Sequence, residues 1–170
     1  MCVNGEIIFD DVTSSTSPIL TLSMKNGLLA FRRRLSLQDQ VGRVVVWGRD
    51  VNQKFIQGEC SRVTAPGAGR SAVETAPKFK DAVLREFSEY VRTAQECRDL
   101  AQARLNAIAM GYVSGEATCV GIPELIPGRY FEVKSLDGSI NGSYFITKVH
   151  HRLNNDEGFL TMLEFKGAKA

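Results

Sequence analysis

The last third of the chain carries the pattern that most constrains its fold, because apolar residues alternate with polar ones between turn-forming segments. Strand-like composition is found in 129–135, 143–152 and 158–166. Asp137-Gly138, Asn141-Gly142 and the loop 154–158 stand where such strands must reverse direction. The sequence therefore predicts three antiparallel strands that share one apolar face. In the first of them, we expect Phe131 and Val133 to point inward.

A helix is predicted immediately before these strands, over residues 94–111. Thr93 and Glu96 have the spacing of a capping box, and Gly111 stands where a helix is expected to stop. The stripe of apolar residues at steps of three and four begins earlier, so we also expect a shorter helix from residue 78, joined near 89–92. The main helix should cover the apolar face of the three C-terminal strands.

Short strands and turns are predicted elsewhere. A strand begins at Gly115–Thr118, and proline and glycine preset turns at 121–123 and 126–128. The N-terminal half contains strand-like runs at 6–9, 19–24, 28–37, 41–49 and 54–62. The connector 13–18 is predicted to be a loop, and 64–70 a linker or a disordered lobe.

Two of these N-terminal strands carry expectations about burial. In 28–37, Leu29, Phe31, Leu35 and Leu37 should share the inward face, which Arg33 interrupts. In the next strand, the run Val44 to Trp47 is apolar on both faces and should be covered on both sides.

Composition favours an ordinary globular protein. Apolar residues make up 44% and charged residues 24%, and the net charge of +2 creates no strong field for nucleic acid or an anionic membrane. No apolar run approaches the roughly 20 residues of a membrane span. The N-terminus lacks a signal-peptide pattern, so we expect the chain to be made and kept in the cytoplasm until assembly or release.

The residues that metal or catalytic sites require are poorly placed. The four cysteines are far apart, and His150 and His151 are adjacent, so they point to opposite faces of a strand. Cys119 has no neighbour that would lower its pKa, and inert packing is favoured. The acidic pairs 10–11 and 156–157 are typical of solvated turns. We predict no catalytic, metal or cofactor site.

Nucleic-acid binding is also disfavoured. On a strand, Arg32, Arg33 and Arg34 split between two faces, which indicates a solvated or subunit-facing patch. Tyr130 and Tyr144 are candidates for exposed rings, but two rings do not make a stacking platform. The other aromatic residues are expected in the core, chiefly Phe31, Trp47, Phe131, Phe145 and Phe165.

Several segments, in order and spacing, resemble the hub domain of phage late control D proteins and the related valine-glycine repeat G proteins. The stretch 109–165 resembles the end of that domain. The run from Leu28 to Leu37 and the strand ending Trp47-Gly48-Arg49-Asp50 resemble two of its strands, and 93–105 resembles its helix. Trp47 and Gly48 are in the reverse of the usual order, and Arg33 replaces a common proline. The residues on which the resemblance rests include Thr93, Glu96, Gly111, Gly115, Pro127, Gly128, Arg129, Gly142, Tyr144 and His151.

The resemblance implies an α+β fold, with a small antiparallel β-barrel or meander flanked by an amphipathic helix, as in tail-tube subunits. It implies a hairpin-like segment at 1–25, a barrel from 26–62 and 112–170, and a loop and helical insertion at 63–111. The implied function is structural, joining a sixfold tail tube to a threefold spike in the baseplate hub of a phage or contractile injection system. The implied partners are further copies of the chain in a trimer, the tail-tube protein and the spike protein.

Two departures limit the resemblance. The first barrel of the hub family is absent, and so are the oligonucleotide-fold domain and the β-helical spike of longer relatives. We therefore expect either a fragment of a longer hub or a hub component whose spike is a separate protein. The alternative is a β-barrel adaptor or a carbohydrate- or peptide-binding module outside any injection machine.

Overall fold

The computed structural model describes residues 16–134, 138 and 140–170, and the backbone alone of 2–3 and 6–7. Two compact units make up the chain. The first unit comprises Met1–Phe31 and Glu116–Phe165, and the second comprises Arg32–Gly115 and Lys166–Ala170. These bounds differ from the barrel and insertion expected from the sequence.

Strands predominate in both units. They are β1 (Cys2–Val3), β2 (Glu6–Ile7), β3 (Pro18–Leu22), β4 (Leu28–Leu35), β5 (Arg43–Arg49), β6 (Phe55–Cys60), β7 (Val83–Phe87), β8 (Val113–Val120), β9 (Tyr130–Val133), β10 (Gly142–Asn154) and β11 (Gly158–Gly167). The helices are α1 (Ala72–Thr75) and α2 (Ala94–Ala109), with a 3-10 turn at Pro77–Phe79. No helix in the described part of the chain has the length and hydropathy that a membrane span requires.

The first unit carries a curled six-stranded sheet in the order β3-β9-β10-β11-β8-β4. The predicted C-terminal strands are confirmed: β9 pairs antiparallel with β10, and β10 and β11 are neighbours joined at 154–158. The sheet is not purely antiparallel, because β3 pairs with β9 in parallel. Its half-barrel curvature is consistent with an α+β tail-protein fold, but a closed antiparallel barrel is not shown.

Aromatic rings fill the core of the first unit. Phe31, Phe131, Tyr144 and Phe165 lie with ring centroids 4.8–5.8 Å apart. Phe131 and Val133 are fully buried, as predicted. Tyr130 and Tyr144 are 4% and 2% exposed, so the suggestion that they lie on the surface is wrong.

In the edge strand β4, the inward placement of Phe31 is confirmed, but that of Leu29 and Leu35 is wrong. Leu28 is buried, whereas Leu29 and Leu35 are 50% and 46% exposed. β4 ends the order of its sheet, and the alternation of apolar residues alone does not show which of them the rest of the unit covers.

The turns between these strands follow the sequence in part. Turns occur at 123–124 and 127–128, and Gly128 takes a left-handed φ of 83°. Asn141-Gly142 does not form a two-residue turn, because Gly142 already pairs with Val133 as the first residue of β10. Asp137, like Phe9, the acidic pair at 10–11 and residues 13–15 of the predicted loop, lies outside the described residues.

The second unit contains a three-stranded sheet in the order β6-β5-β7, on which α2 packs. Its core joins Val44 and Val46 of β5 to Cys97, Ala101 and Leu105 of α2. The side chains at this contact are small or medium in size, so the helix lies close to the sheet. Gly58 marks the closest approach, because a Cβ there would lie 2.3 Å from the backbone nitrogen of Arg98.

The helix predicted before α2 is absent from this part of the structure. Residues 83–87 form β7, which pairs in parallel with β5 in the register Val44↔Leu84 and Trp47↔Phe87. Sheet pairing therefore outweighs the helical spacing of the apolar residues.

α2 itself was predicted closely. Glu96 N donates to Thr93 Oγ1 at 3.2 Å, and the Glu96 carboxylate accepts from Thr93 N at 3.2 Å, which completes the capping box. The prediction that α2 covers the C-terminal strands is wrong, because its buried side packs on β5 and β6.

The segment 64–70 has no regular secondary structure but is held in place. Asn106 Oδ1 accepts from the backbone of Thr64 at 2.9 Å and of Ala65 at 3.1 Å. Arg70 and Ala170 exchange two backbone hydrogen bonds of 2.8 and 3.0 Å. Of the two expectations for this segment, the linker agrees with the structure and the disordered lobe does not.

Candidate assembly surfaces

A tight turn joins β5 to β6 and fixes their register. Asp50 Oδ1 accepts from the backbone N–H groups of Asn52 and Lys54 at 2.8 Å each, and Gln53 takes a left-handed φ of 63°. The turn sets Arg49 opposite Phe55. The guanidinium carbon of Arg49 lies 4.9 Å from the centroid of the Phe55 ring, a cation–π contact at the exposed end of the hairpin.

The side of the three-stranded sheet away from α2 carries exposed aromatic residues. Val44 and Val46 face the helix, and Glu86 of β7 is 3.0 Å from Arg104 of α2. Because side chains alternate along a strand, the residues between them face the other way. There, Trp47, Phe55 and Phe87 are 37%, 66% and 51% exposed. We call these three residues the aromatic face.

The register aligns this face across the sheet. Trp47 is the partner of Gln57 in β6 and of Phe87 in β7, so one row crosses all three strands. Arg49 and Phe55 form the next row towards the turn. The expectation that Trp47 is a core residue is wrong, because its ring lies on the open side of the sheet.

A cavity of about 420 Å³ opens beside the aromatic face. It is lined by Arg49, Gln53, Phe87, Glu89 and Arg92. Arg92 Nη1 donates to the backbone oxygen of Arg49 at 3.4 Å, which ties the Arg92 side chain to the end of β5. The cavity thus has two cationic groups and one carboxylate around an aromatic wall.

The first unit has a second groove, of about 290 Å³, whose polar lining includes Glu116, Thr118, Lys148, His150 and Glu164. Lys148 Nζ lies 2.9 Å from Glu164 Oε1, so these two charges largely neutralise each other. With Glu116 counted, the groove has one more carboxylate than cationic side chains, whereas the cavity beside the aromatic face has two cationic groups and one carboxylate.

The two histidines are in β10, but they have different surroundings. His150 lines the groove of the first unit, whereas His151 Nδ1 is 2.9 Å from Thr161 Oγ1. Thr161 Oγ1 also accepts from Ile122 N at 3.1 Å, so His151 belongs to a structural hydrogen-bond chain. Among the described residues, no group of three metal-binding side chains is close enough to hold an ion.

The residues that carried the family resemblance do not form one site. In the second unit, Thr93 and Glu96 cap α2, Gly111 N donates to Ile108 O at 3.0 Å, and Gly115 lies in β8. Thr93 and Glu96 act through their side chains at the start of α2, whereas Gly111 and Gly115 contribute backbone after the helix and in a strand. None of these four residues belongs to the aromatic face.

The remaining resemblance residues belong to the first unit. Pro127 and Gly128 form a turn, and the backbones of Gly128 and Arg129 each exchange a hydrogen bond with Ile146, at 2.9 and 2.8 Å. Tyr144 belongs to the aromatic core, and its hydroxyl donates to Ile140 O at 2.5 Å. Gly142 and His151 both lie in β10. These residues therefore support the sheet.

Two buried thiols, Cys97 and Cys119, have raised pKa values. Burial raises the pKa of the Cys119 thiol to about 11, and burial followed by the nearby Glu96 charge raises the pKa of Cys97. Since the thiolate is the nucleophile, both groups are poor candidates for catalysis. Cys60 is half-buried, with its Sγ 2.9 Å from Gln102 Oε1.

Solved structures with the same fold are tail proteins and a virion. The tail protein from Neisseria meningitidis MC58 matches with a TM-score of 0.60 and 11% identity, over 89% of this chain and 44% of that one. The prophage MuSo2 43 kDa tail protein from Shewanella oneidensis matches with a TM-score of 0.62 and 14% identity, over 89% and 45%. A chain of the virion of a native gene transfer agent particle matches with a TM-score of 0.53 and 12% identity, over 90% and 32%.

These likenesses establish a shared fold, and the chain spans less than half the length of each of the three proteins. No curated protein matches the sequence. The late control D family is not confirmed. A family model does match residues 1–155, and the chain therefore belongs to the Alg8 N-terminal domain family.

Proposed function

We propose that the chain is a structural component of a phage tail or contractile injection baseplate hub, where it joins the sixfold tail tube to the threefold spike. The observation that carries the proposal is the fold shared with two tail proteins over most of this chain. The description of the Alg8 family names no tail component, so the proposal rests on the fold and on the sequence resemblance to late control D proteins.

Open sheet edges are consistent with a role in assembly. The order of the larger sheet ends at β3 and β4, and that of the smaller sheet at β6 and β7. Strands at such edges have backbone groups that a neighbouring chain can pair. In a closed ring of identical chains, each edge would meet the same complementary surface on the next copy.

The proposed role requires no catalysis. We propose that the chain is not an enzyme and takes no cofactor, which agrees with the raised pKa values of Cys97 and Cys119. Its partners would be two further copies of the chain, the tail-tube protein and the spike protein. Its place would be the tail or baseplate of the finished particle, after assembly in the bacterial cytoplasm.

The test is to tag the gene in the genome that carries it and to purify particles on a density gradient. We expect the tagged chain to sediment with particles at one copy for every two subunits of a hexameric tube ring, as a trimer beneath that ring requires. Quantitative mass spectrometry of the particle fractions measures this ratio. Deleting the gene should leave particles without attached spikes.

The competing function is an adaptor or a carbohydrate- or peptide-binding module, which the exposed aromatic face also suits. That function predicts a monomer that is absent from particle fractions and that binds a glycan or peptide array through the aromatic face. Absence from the particles, with normal particle assembly after deletion, would overturn the hub proposal.

A further inference from the structure

We propose that the aromatic face, together with Arg49 and Arg92, binds a protein surface that presents carboxylates beside apolar side chains. This inference names the chemistry of a partner. It rests on the proposed function only in identifying that partner as another tail component.

Three large rings are exposed on one side of the three-stranded sheet. Trp47, Phe55 and Phe87 lie in two adjacent rows, and each is at least 37% exposed. Aromatic residues and arginine are enriched at the energetically dominant positions of protein interfaces. A partner that covers these rings removes their apolar surface from water.

The arginines of the second unit differ in whether a carboxylate pairs with them. Arg43 and Arg104 of the second unit form ion pairs with Glu59 and Glu86. Within the part of the chain that the structure describes, Arg49, Arg85 and Arg92 have no carboxylate partner. These arginines flank the aromatic face, so the positive charge next to the rings is left for a partner to neutralise.

The position of the two cavity arginines is partly fixed before binding. Arg49 is held over the Phe55 ring, and Arg92 donates to the backbone of Arg49. A guanidinium held in place loses less side-chain entropy when it binds a carboxylate. Glu89 is the acidic residue in the cavity lining, and among the described residues it forms no ion pair with either arginine. The cavity is therefore suited to an aspartate or glutamate side chain.

A protein partner is favoured over a nucleic acid. Nucleic-acid grooves follow a phosphate backbone with a continuous row of cations. Here the cations are interrupted by Glu59 and Glu89, and the net charge of the whole chain is only +2. Nucleic acid is accordingly a competing outcome of the test.

Trp47 provides a direct probe, because it is the only tryptophan of the chain and lies on the proposed surface. The purified full chain is titrated with a capped hexapeptide of alternating glutamate and leucine, and in parallel with its glutamine counterpart. We expect the acidic peptide to shift the Trp47 emission saturably at physiological salt, and the glutamine peptide to bind roughly tenfold more weakly.

The variant Arg49→Glu/Arg92→Glu should weaken binding of the acidic peptide by roughly tenfold or more. Arg98→Glu, a reversal of one exposed charge on α2 where Arg98 hydrogen-bonds to Gln95, is the charge control for the single variant Arg92→Glu. It should bind like the parent chain. Circular dichroism confirms that all three variants fold.

Three results would overturn the inference: no response of Trp47, equal responses to the acidic and neutral peptides, or equal losses in Arg92→Glu and the Arg98→Glu control. Tighter binding of a single-stranded oligothymidine through Trp47 would reassign the face to nucleic acid. The hub function and the binding surface are tested separately, because one is measured by incorporation of the chain into particles and the other by binding of the acidic peptide. If the parent chain is absent from particles but binds the acidic peptide, the hub function fails while this surface stands.

Discussion

The two units use aromatic residues in opposite ways. In the first unit, Phe31, Phe131, Tyr144 and Phe165 pack against one another inside the sheet. In the second unit, the core consists of valine, alanine, cysteine and leucine, and the large rings lie on the open side of the sheet. Aromatic residues therefore stabilise the fold in one unit and remain available for a partner in the other.

The difference follows from how each core is closed. In the first unit, large aromatic side chains fill the space inside a curled sheet. In the second, α2 lies so close to β6 that only glycine fits at position 58. A core of small side chains leaves no room for Trp47 or Phe87 on the helix side, so these rings are placed on the opposite face.

The largest expected effect contrasts one ring from each unit. Phe131→Ala removes a fully buried ring in contact with Tyr144 and Phe165, and should lower the free energy of unfolding by about 3–5 kcal/mol. Phe87→Ala removes a half-exposed ring and should cost less than about 0.5 kcal/mol. Urea unfolding followed by far-ultraviolet circular dichroism measures both changes.

Similar losses in the free energy of unfolding for Phe131→Ala and Phe87→Ala would contradict the proposed difference between the two units. A large loss in Phe87→Ala would show that the aromatic face contributes to the fold of the free chain, and the case for a docking surface would weaken. Phe131→Leu is the control for volume, and should recover much of the stability that alanine removes.

How well the sequence predicted each region depends on whether the signal is local. The capping box of Thr93 and Glu96 and the turn at Gly128 were predicted because each depends on residues a few positions apart. The C-terminal strands were predicted for the same reason, since short turns separate alternating apolar residues.

The second unit was predicted less well because its pairing is long-range. Val83 and Phe87 are four residues apart, a spacing that puts two side chains on one face in a helix and also in a strand. Nothing local shows that this segment pairs in parallel with β5. Likewise, the run Val44–Trp47 is apolar throughout, so it does not show which side α2 covers. The aromatic face exists only through that register, which no local pattern of residues indicates.

A second prediction concerns the close approach of α2 and β6. In Gly58→Ala, the added methyl would lie 2.3 Å from Arg98 N and 2.6 Å from the carbonyl carbon of Cys97. These are backbone atoms, so the helix must move, and we expect a loss of about 2 kcal/mol in the free energy of unfolding. Urea unfolding followed by Trp47 fluorescence measures the change in the second unit.

Gly138→Ala is the matched control for that variant. An added Cβ at Gly138 meets nothing within 4 Å, so its stability should stay within about 0.5 kcal/mol of the parent. Equal behaviour of the two variants would show that the second unit tolerates a wider spacing between helix and sheet. The explanation for its outward aromatic residues would then be lost.

The smallest effect should come from the N-cap of α2. Thr93→Ala removes the hydroxyl that accepts from Glu96 N, and we expect it to lower the free energy of unfolding by about 1 kcal/mol. Thr93→Ser keeps that acceptor and should lose much less. Hydrogen exchange of the first-turn amides of α2 provides the local measurement, with faster exchange expected in the alanine variant alone. Equal exchange in the alanine and serine variants would mean that packing on β5 and β6 holds this end of the helix. The contact between α2 and the sheet would then not depend on the Thr93 hydroxyl.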